Sequence, residues 1–267
     1  YCFGCHAKGD IFTFVQEFEG LDFIGSLKML ADRAGIKIEK FESGQKGEKD
    51  RILSVVEQAV IFYQRQFDNY EPAKKYMKDR GVSEETISSF RIGYAPLGWR
   101  NLFDHLSSKN VSPEDMLKAG LIKKKEDSQN SYYDVFRGRV MFPIHNLTGK
   151  VIAFGGRILK TDKKFAKYLN SPESEIYHKS KVLYGIYQAR KAIMQVDKCY
   201  LVEGYTDVIS MHQAGIENVV ASSGTSLTED QIRLIRRFTF NVTILYDGDA
   251  AGIKASLRGI DMVLEEV

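Results

Sequence analysis

Three short apolar runs close this chain, Cys199–Val202, Val219–Ala221 and Val242–Tyr246, and stretches of helical periodicity separate them at about 206–214 and 228–238. A further helix starts near Ala250. Strands alternating with helices of this length imply a parallel sheet with crossover helices, because a parallel neighbour can be reached only by returning the chain to the same end. In an open parallel sheet the loops that follow the strands gather at one edge, and ligands bind there. Two of the three strands run into acids at that edge. Glu203-Gly204-Tyr205-Thr206-Asp207 follows the first, and Asp247-Gly248-Asp249 follows the third.

Carboxylates collected at one sheet mouth suit a divalent cation. Mg²⁺ takes one or two carboxylates together with water and substrate phosphate oxygens, and such ions serve displacement at phosphorus. Glu203, Asp247 and Asp249 are the candidate ligands, with Gly248 letting the backbone turn so that both aspartates face one ion. Asp-Gly-Asp alone also reads as a strand-to-helix turn with an N-cap. Asp207 is either a neighbour of the metal site or a charge in the first turn of its helix.

Upstream, helical spacing appears over Asp10–Phe18 and Asp22–Ala34, with Gly35 as the stop of the second helix. Phe41–Asp50 is polar, contains glycine and lacks periodicity, so a linker is expected there. A long amphipathic helix follows from Arg51 to about Phe67. Ser83 and Ser112-Pro113-Glu114-Asp115 read as helix starts. Val140–Ile144 and Val151–Phe154 read as strands around the turn Asn146–Gly149. Hydrophobic content of 43% and charged content of 27% are ordinary for a globular protein and too polar for a membrane protein. No apolar run approaches the roughly 20 residues of a spanning helix.

The net charge of +3 conceals an asymmetry. Leu121–Lys181 carries 13 Lys and Arg against 6 Asp and Glu, an excess of +7 that leaves −4 for the remainder. A basic middle beside an acidic edge fits a polyanion track leading to a metal-type site, although Lys123-Lys124-Lys125 by itself reads as a solubilising surface. The three cysteines form no disulfide framework, and Cys2 and Cys5 have CxxC spacing. Alone, that pair is compatible with zinc, redox chemistry or no role. The chain opens at Tyr1 without Met, so it is expected to be an excerpt.

Glu-Gly-Tyr-x-Asp at 203–207 with Asp-Gly-Asp-x-Ala-Gly at 247–252 resembles the Toprim module, which bacterial primases, type IA and type II topoisomerases and some nucleases share. Three further segments choose among these. Arg137–Ile144 leads into Gly149–Arg157; Lys167-Tyr168-Leu169-Asn170-Ser171-Pro172-Glu173 follows; then come His178-Lys179 and Leu183-Tyr184-Gly185. In order and spacing they resemble the RNA polymerase domain of bacterial DnaG-type primases, over essentially the whole chain. Tyr1–Cys5 with Gly9-Asp10 is similar to the second half of the primase zinc ribbon. The resemblance therefore implies that Cys2 and Cys5 are half of a Cys-His-Cys-Cys zinc site, with His6 not a ligand.

The resemblance implies an α+β fold ending in an α/β Toprim subdomain with a parallel sheet, preceded by a zinc-ribbon remnant. The expected divisions are 1–40 for the end of the zinc domain, 41–50 for the linker, 51–196 for the amino-terminal part of the catalytic core and 197–267 for a truncated Toprim subdomain. It implies DNA-directed joining of ribonucleotides into a short primer, with Mg²⁺ or Mn²⁺ at Glu203, Asp247 and Asp249, and Glu203 relaying the proton of the attacking hydroxyl. Arg137, Arg139, Arg157, Lys167, Asn170 and Lys179 would contact the template or the incoming triphosphate. Gly224 and Thr225 would shape the site through their backbone, and Ser223 stands where family members usually carry Leu. The implied partners are a single-stranded DNA template, ribonucleoside triphosphates and, through an absent carboxyl-terminal domain, the replicative helicase. The protein is expected to be a monomer in the bacterial cytoplasm at the replication fork. A downstream acidic segment is expected to be missing, so the fragment should lack full activity. Rival readings are a phage-type or organellar primase–helicase, a Toprim nuclease or topoisomerase, and a metal-poor single-strand-binding scaffold.

Overall fold

The computed structural model describes residues 9–19, 21, 23–36, 44–125, 131–159, 165–224 and 226–266. Helices α1 (Ile11–Glu19) and α2 (Phe23–Ala34) open it. The Asp10 carboxylate caps α1 by accepting from Thr13 N–H at 2.9 Å. Gly35 ends α2 in the left-handed conformation at φ 66°, as its position suggested.

Helix α3 (Gly44–Asp68) is the spine of the next layer. Ile52, Val55, Val56, Ala59, Tyr63 and Phe67 recur at helical spacing and are all buried. The expected linker at 41–50 is corrected here. Residues 44–50 are the first turns of α3, and 41–43 lie outside the described residues. Gly47, inside the helix, costs it about 1 kcal/mol relative to Ala. Continuity with the buried face outweighs this, and Glu48 pairs with Lys118 across the gap to a neighbouring helix. Tertiary contact overrode a local signal that was itself sound.

Helices α4 (Glu71–Asp79) and α5 (Glu84–Ser89) follow, then strand β1 (Gly93–Ala95), helices α6 (Asn101–Ser107) and α7 (Pro113–Lys118), and the hairpin β2 (Ile122–Lys124) with β3 (Tyr132–Asp134). Both serine caps form. Ser83 Oγ accepts from Thr86 N–H at 3.2 Å, and Ser112 Oγ from Asp115 N–H at 3.1 Å. Strands β4 (Arg139–His145), β5 (Val151–Ile158) and β6 (Tyr168–Asn170) complete an antiparallel sheet in the order β1-β4-β5-β6. Alternate residues point to opposite faces. Val140, Phe142 and Ile144 enter one core, while Met141 and Phe154 enter another beneath α3. Burial on both faces explains why β4 reads as a continuous apolar run.

After a single 3₁₀ turn at Lys179–Lys181 come α8 (Ile186–Val196), β7 (Cys199–Val202), α9 (Tyr205–Gln213), β8 (Val219–Ala221), α10 (Glu229–Arg236), β9 (Val242–Ile244) and α11 (Ala250–Glu266). The three strands are parallel in the order β8-β7-β9, as the strand–helix alternation requires. Ile186, Ala189 and Ile193 of α8 join Leu201, Val220 and Ile232 in a third core. By packing, then, α8 belongs with the parallel sheet, ahead of the division expected at 196/197. Arg190 of α8, almost fully buried, donates to the Glu19 carbonyl at 2.8 Å, and Lys191 pairs with the Glu19 carboxylate at 3.0 Å, which fastens α1 to this layer. Among the described residues, no helix is long and apolar enough to cross a membrane.

Candidate catalytic and nucleic-acid site

Strand β7 is central, so the loops after all three parallel strands share one edge. Glu203 leaves β7, residues 222–224 leave β8 and Asp247 lies beyond β9. The ladder continues past the strand ends, with Leu245 N–H donating to Leu201 O at 2.8 Å. Glu203 is half-buried, and its Oε1 accepts from Asp247 N–H at 3.0 Å, so the first acid holds the backbone of the second. Asp249 Oδ1 accepts from Gly252 N–H at 2.8 Å, which makes it the cap of α11. Asp207 Oδ2 accepts from Gly204 N–H at 2.9 Å at the start of α9.

The N-cap foreseen in the Asp-Gly-Asp turn thus forms at Asp249, and Asp207 sits in the first turn of its helix, bonded to the backbone there. Each carboxylate commits one oxygen to a backbone amide. Desolvation raises the Asp207 carboxyl above its ordinary range, with the charge of Asp247 adding to it; the Gly204 hydrogen bond and Arg80 act in the opposite sense. No cluster of three or more His, Cys, Asp or Glu side chains suited to a metal is assembled among the described residues. The donors at the edge are hard carboxylate oxygens, the type Mg²⁺ and Mn²⁺ take. Gly252, which sequence reasoning quoted but gave no role, is needed for the close approach of α11. A Cβ there would lie 2.1 Å from Asp247 O and 3.1 Å from Glu203 Oε1.

The expected cations divide into separate groups. Arg157 on β5 donates to the Tyr76 hydroxyl of α4, and its guanidinium lies 5.1 Å from the Tyr76 ring centroid and 5.4 Å from that of Tyr168. Arg80 covers Tyr76 at 4.9 Å, and Lys167 Nζ lies 6.0 Å from the Tyr168 ring. The result is a ladder of alternating cations and rings, Arg80–Tyr76–Arg157–Tyr168–Lys167. It abuts the acidic edge, since the Tyr168 ring is 6.1 Å from that of Tyr205 and Arg80 acts on Asp207. Tyr76 and Arg80 were missed. Tyr76 sits on an ordinary amphipathic helix and Arg80 caps its end, and only the fold brings them against β5. Arg137 stands in another group, 4.1 Å from the centroid of Trp99 and 5.4 Å from Tyr133. Trp99 is 65% exposed.

Arg139 is not an exposed cation on the track. It is 6% exposed and donates to the carbonyls of Gly156 (3.0 Å), Ala166 (3.0 Å) and Lys167 (3.3 Å), bracing the antiparallel sheet. Burial, with the charge of Arg137, lowers its pKa.

Asn170 ends β6. Its Nδ2 donates to Ser223 O at 2.9 Å and its Oδ1 accepts from Tyr205 Oη–H at 2.5 Å. Lys179 opens the 3₁₀ turn, and its carbonyl and that of Val182, just past the turn, accept from the fully buried Gln231 at 3.2 and 2.9 Å. Gly224 has φ 80° and Ser223 φ 57°, so the loop after β8 turns through two consecutive left-handed residues. Thr225, Cys2 and Cys5 lie outside the described residues.

An acid after one parallel strand and Asp-Gly-Asp after its neighbour define a Toprim protein, and the Toprim domain family matches residues 197–267. The family described as the DNA primase catalytic core, N-terminal domain, matches residues 62–190, and the CHC2 zinc finger matches residues 1–46. The chain is 42% identical over 268 residues to the DNA primase of Clostridium acetobutylicum, covering 99% of this chain and 44% of that protein. It is 43% identical over 265 residues to that of Deinococcus radiodurans, covering 99% and 45%. The Aquifex aeolicus primase structure of the zinc-binding and RNA polymerase domains superposes with a TM-score of 0.77 at 35% identity, over 99% of this chain and 64% of that one. A DnaG primase catalytic domain bound to ssDNA gives 0.73 at 39% identity, over 82% and 68%. The chain belongs to the bacterial DnaG-type DNA primase family. It spans less than half the length of the curated relatives it matches.

Proposed function

We propose that this chain forms the catalytic part of a primase that joins ribonucleotides into short RNA primers on single-stranded DNA. The observation that carries the reading is the meeting of two charge systems. The acidic edge at Glu203, Asp247 and Asp249 abuts the ladder Arg80–Tyr76–Arg157–Tyr168–Lys167. A polyanion held on the ladder presents its phosphates to the carboxylates. Rings between the cations add a sequence-tolerant surface for bases or sugars.

In the reaction a 3′-hydroxyl oxygen bonds to the α-phosphorus of a nucleoside triphosphate. The bond from that phosphorus to the bridging oxygen breaks, and pyrophosphate leaves with the electron pair. Glu203 takes up the proton of the hydroxyl. Glu203, Asp247 and Asp249 would hold Mg²⁺ or Mn²⁺, which would supply Lewis-acid activation and charge neutralisation. Arg157, Lys167 and Lys179 hold phosphate oxygens as fixed cations, and Asn170 adds a directed hydrogen bond. Arg137 with Trp99 offers a second contact for the strand, while Arg139 keeps the sheet in register. Gly224, in its left-handed turn, brings backbone close to the substrate.

The family matches at 1–46, 62–190 and 197–267 support a zinc-ribbon end, a catalytic core and a Toprim part in that order. Cys2 and Cys5 would supply two thiolates of a tetrahedral zinc site. We also assign the parent protein to the cytoplasm, as a monomer that meets the replicative helicase through a further domain.

The test is primer synthesis by the full-length parent on single-stranded DNA with labelled ribonucleotides and Mg²⁺. Wild type should make short RNA. Glu203→Gln and Asp247→Asn should each lose about 100-fold or more, as when a group that stabilises the transition state is removed, while DNA binding persists. Metal-dependent nicking without RNA would move the chain to the nuclease–topoisomerase side of Toprim.

A further inference from the structure

We infer that Tyr205 is a positioning residue, which sets the Asn170 amide for the incoming nucleotide and ties that nucleotide contact to the Glu203 loop. The inference rests on the primase reading above and adds a residue that touches no substrate itself.

Asn170 is held at both ends. Its Oδ1 accepts from the Tyr205 hydroxyl at 2.5 Å and its Nδ2 donates to the Ser223 carbonyl at 2.9 Å. Reversing the amide would set its oxygen against the Ser223 carbonyl, so the orientation is unique. One Nδ2 hydrogen remains to donate, and its natural acceptor is an oxygen of the triphosphate or ribose. Ser223 N–H donates in turn to the Glu203 carbonyl at 3.2 Å, and Tyr205 is two residues beyond Glu203. The hydrogen bonds and the chain between Glu203 and Tyr205 therefore close a ring that joins β6 of the antiparallel sheet to the acidic loop of the parallel one.

Tyr205 is built as a rigid anchor. Its ring stacks on Phe142 at 5.2 Å and 5°, and meets Tyr184 edge-on at 4.7 Å and 84°. It lies on β5 where only glycine fits, because a Cβ at Gly155 would come within 2.2 Å of the ring. Removing the Tyr205 hydroxyl leaves the amide pivoting on one bond, with the packed ring unchanged.

The experiment compares full-length wild type, Tyr205→Phe, Asn170→Ala and the double variant. Labelled-ribonucleotide affinity is measured by equilibrium dialysis with Mg²⁺, alongside steady-state primer synthesis and thermal melting. Tyr205→Phe should weaken nucleotide affinity and raise KM about 5- to 10-fold, the scale of one lost hydrogen bond, with the change falling on KM rather than kcat. The double variant should match Asn170→Ala, because the two residues act as one unit. Additive losses, a fall confined to kcat, or unchanged affinity in Tyr205→Phe would overturn the inference. So would a lowered melting temperature that accounts for the whole loss. If wild type binds ribonucleotide but makes no RNA, the primase reading fails while dialysis still decides the coupling of Tyr205 to Asn170; if it binds none, the inference falls as well.

Discussion

The antiparallel sheet and the parallel sheet hold their charges by opposite means. In the first, every residue of β4 is buried, and cations are fixed by rings and backbone carbonyls: Arg157 between Tyr76 and Tyr168, and Arg139 on three carbonyl oxygens. In the second, β9 is a half-exposed edge strand, and acids are fixed by backbone N–H groups: Glu203 on Asp247, Asp249 on Gly252, and Asp207 on Gly204. A cation on a long stem needs a wall to lie along, which a deep core provides. A short carboxylate needs donors, and loops entering helices supply them unpaired. The two kinds of sheet meet with Tyr205 and Asn170 at their junction.

The sharpest way to break this contrast is to remove packing from each sheet. Phe154→Ala, in the core under α3 against Tyr63 and Phe136, should cost about 3–5 kcal/mol in denaturant unfolding. Ile244→Ala on the half-exposed β9 should cost less than half as much. Equal losses would show the two layers to be equally dependent on their cores.

A second comparison uses pH. Burial lowers His145 of β4 to about 4, with the charge of Arg91 also lowering it and Glu57 opposing. The unfolded chain takes up this proton near pH 6.5 and the folded chain only near 4. Stability from this site is thus full above about pH 6.5 and is lost as pH falls toward 4, by about 3 kcal/mol in all. Replacing His145 with Gln should flatten stability against pH across that window, read from melting at several pH values. A wild-type profile that parallels the variant would refute the assignment.

The smallest effect separates two helix caps. Ser112→Ala should cost about 1 kcal/mol. Thr228→Ala should cost more. Its hydroxyl caps α10 at 3.2 Å from Gln231 N and also donates to Ser180 O at 2.5 Å, in the turn that carries Lys179. Of the two, only the Thr228 variant should also raise the KM for nucleotide in primer synthesis.

Local chemistry made much of this protein legible in sequence. The strand–helix alternation after Cys199 leaves a parallel sheet as its natural closure, and Glu203 and Asp247 follow its strands for the same reason. Ser83, Ser112 and Gly35 act within a turn of their own positions, so their caps could be read directly. The helical start at Gly44 could not be, because it continues a face buried only in the folded chain and is joined by the pairing of Glu48 with Lys118, seventy residues away. Nor could the burial of Arg139, the pairing of Arg157 with Tyr76, or the hold of Tyr205 on Asn170. Sequence by itself determined which residue types stand at strand ends and helix starts, where the partners are the nearest backbone groups. Tertiary structure alone decided which cations face solvent and which rings and amides orient them, because those partners come from distant segments and meet only when the two sheets pack.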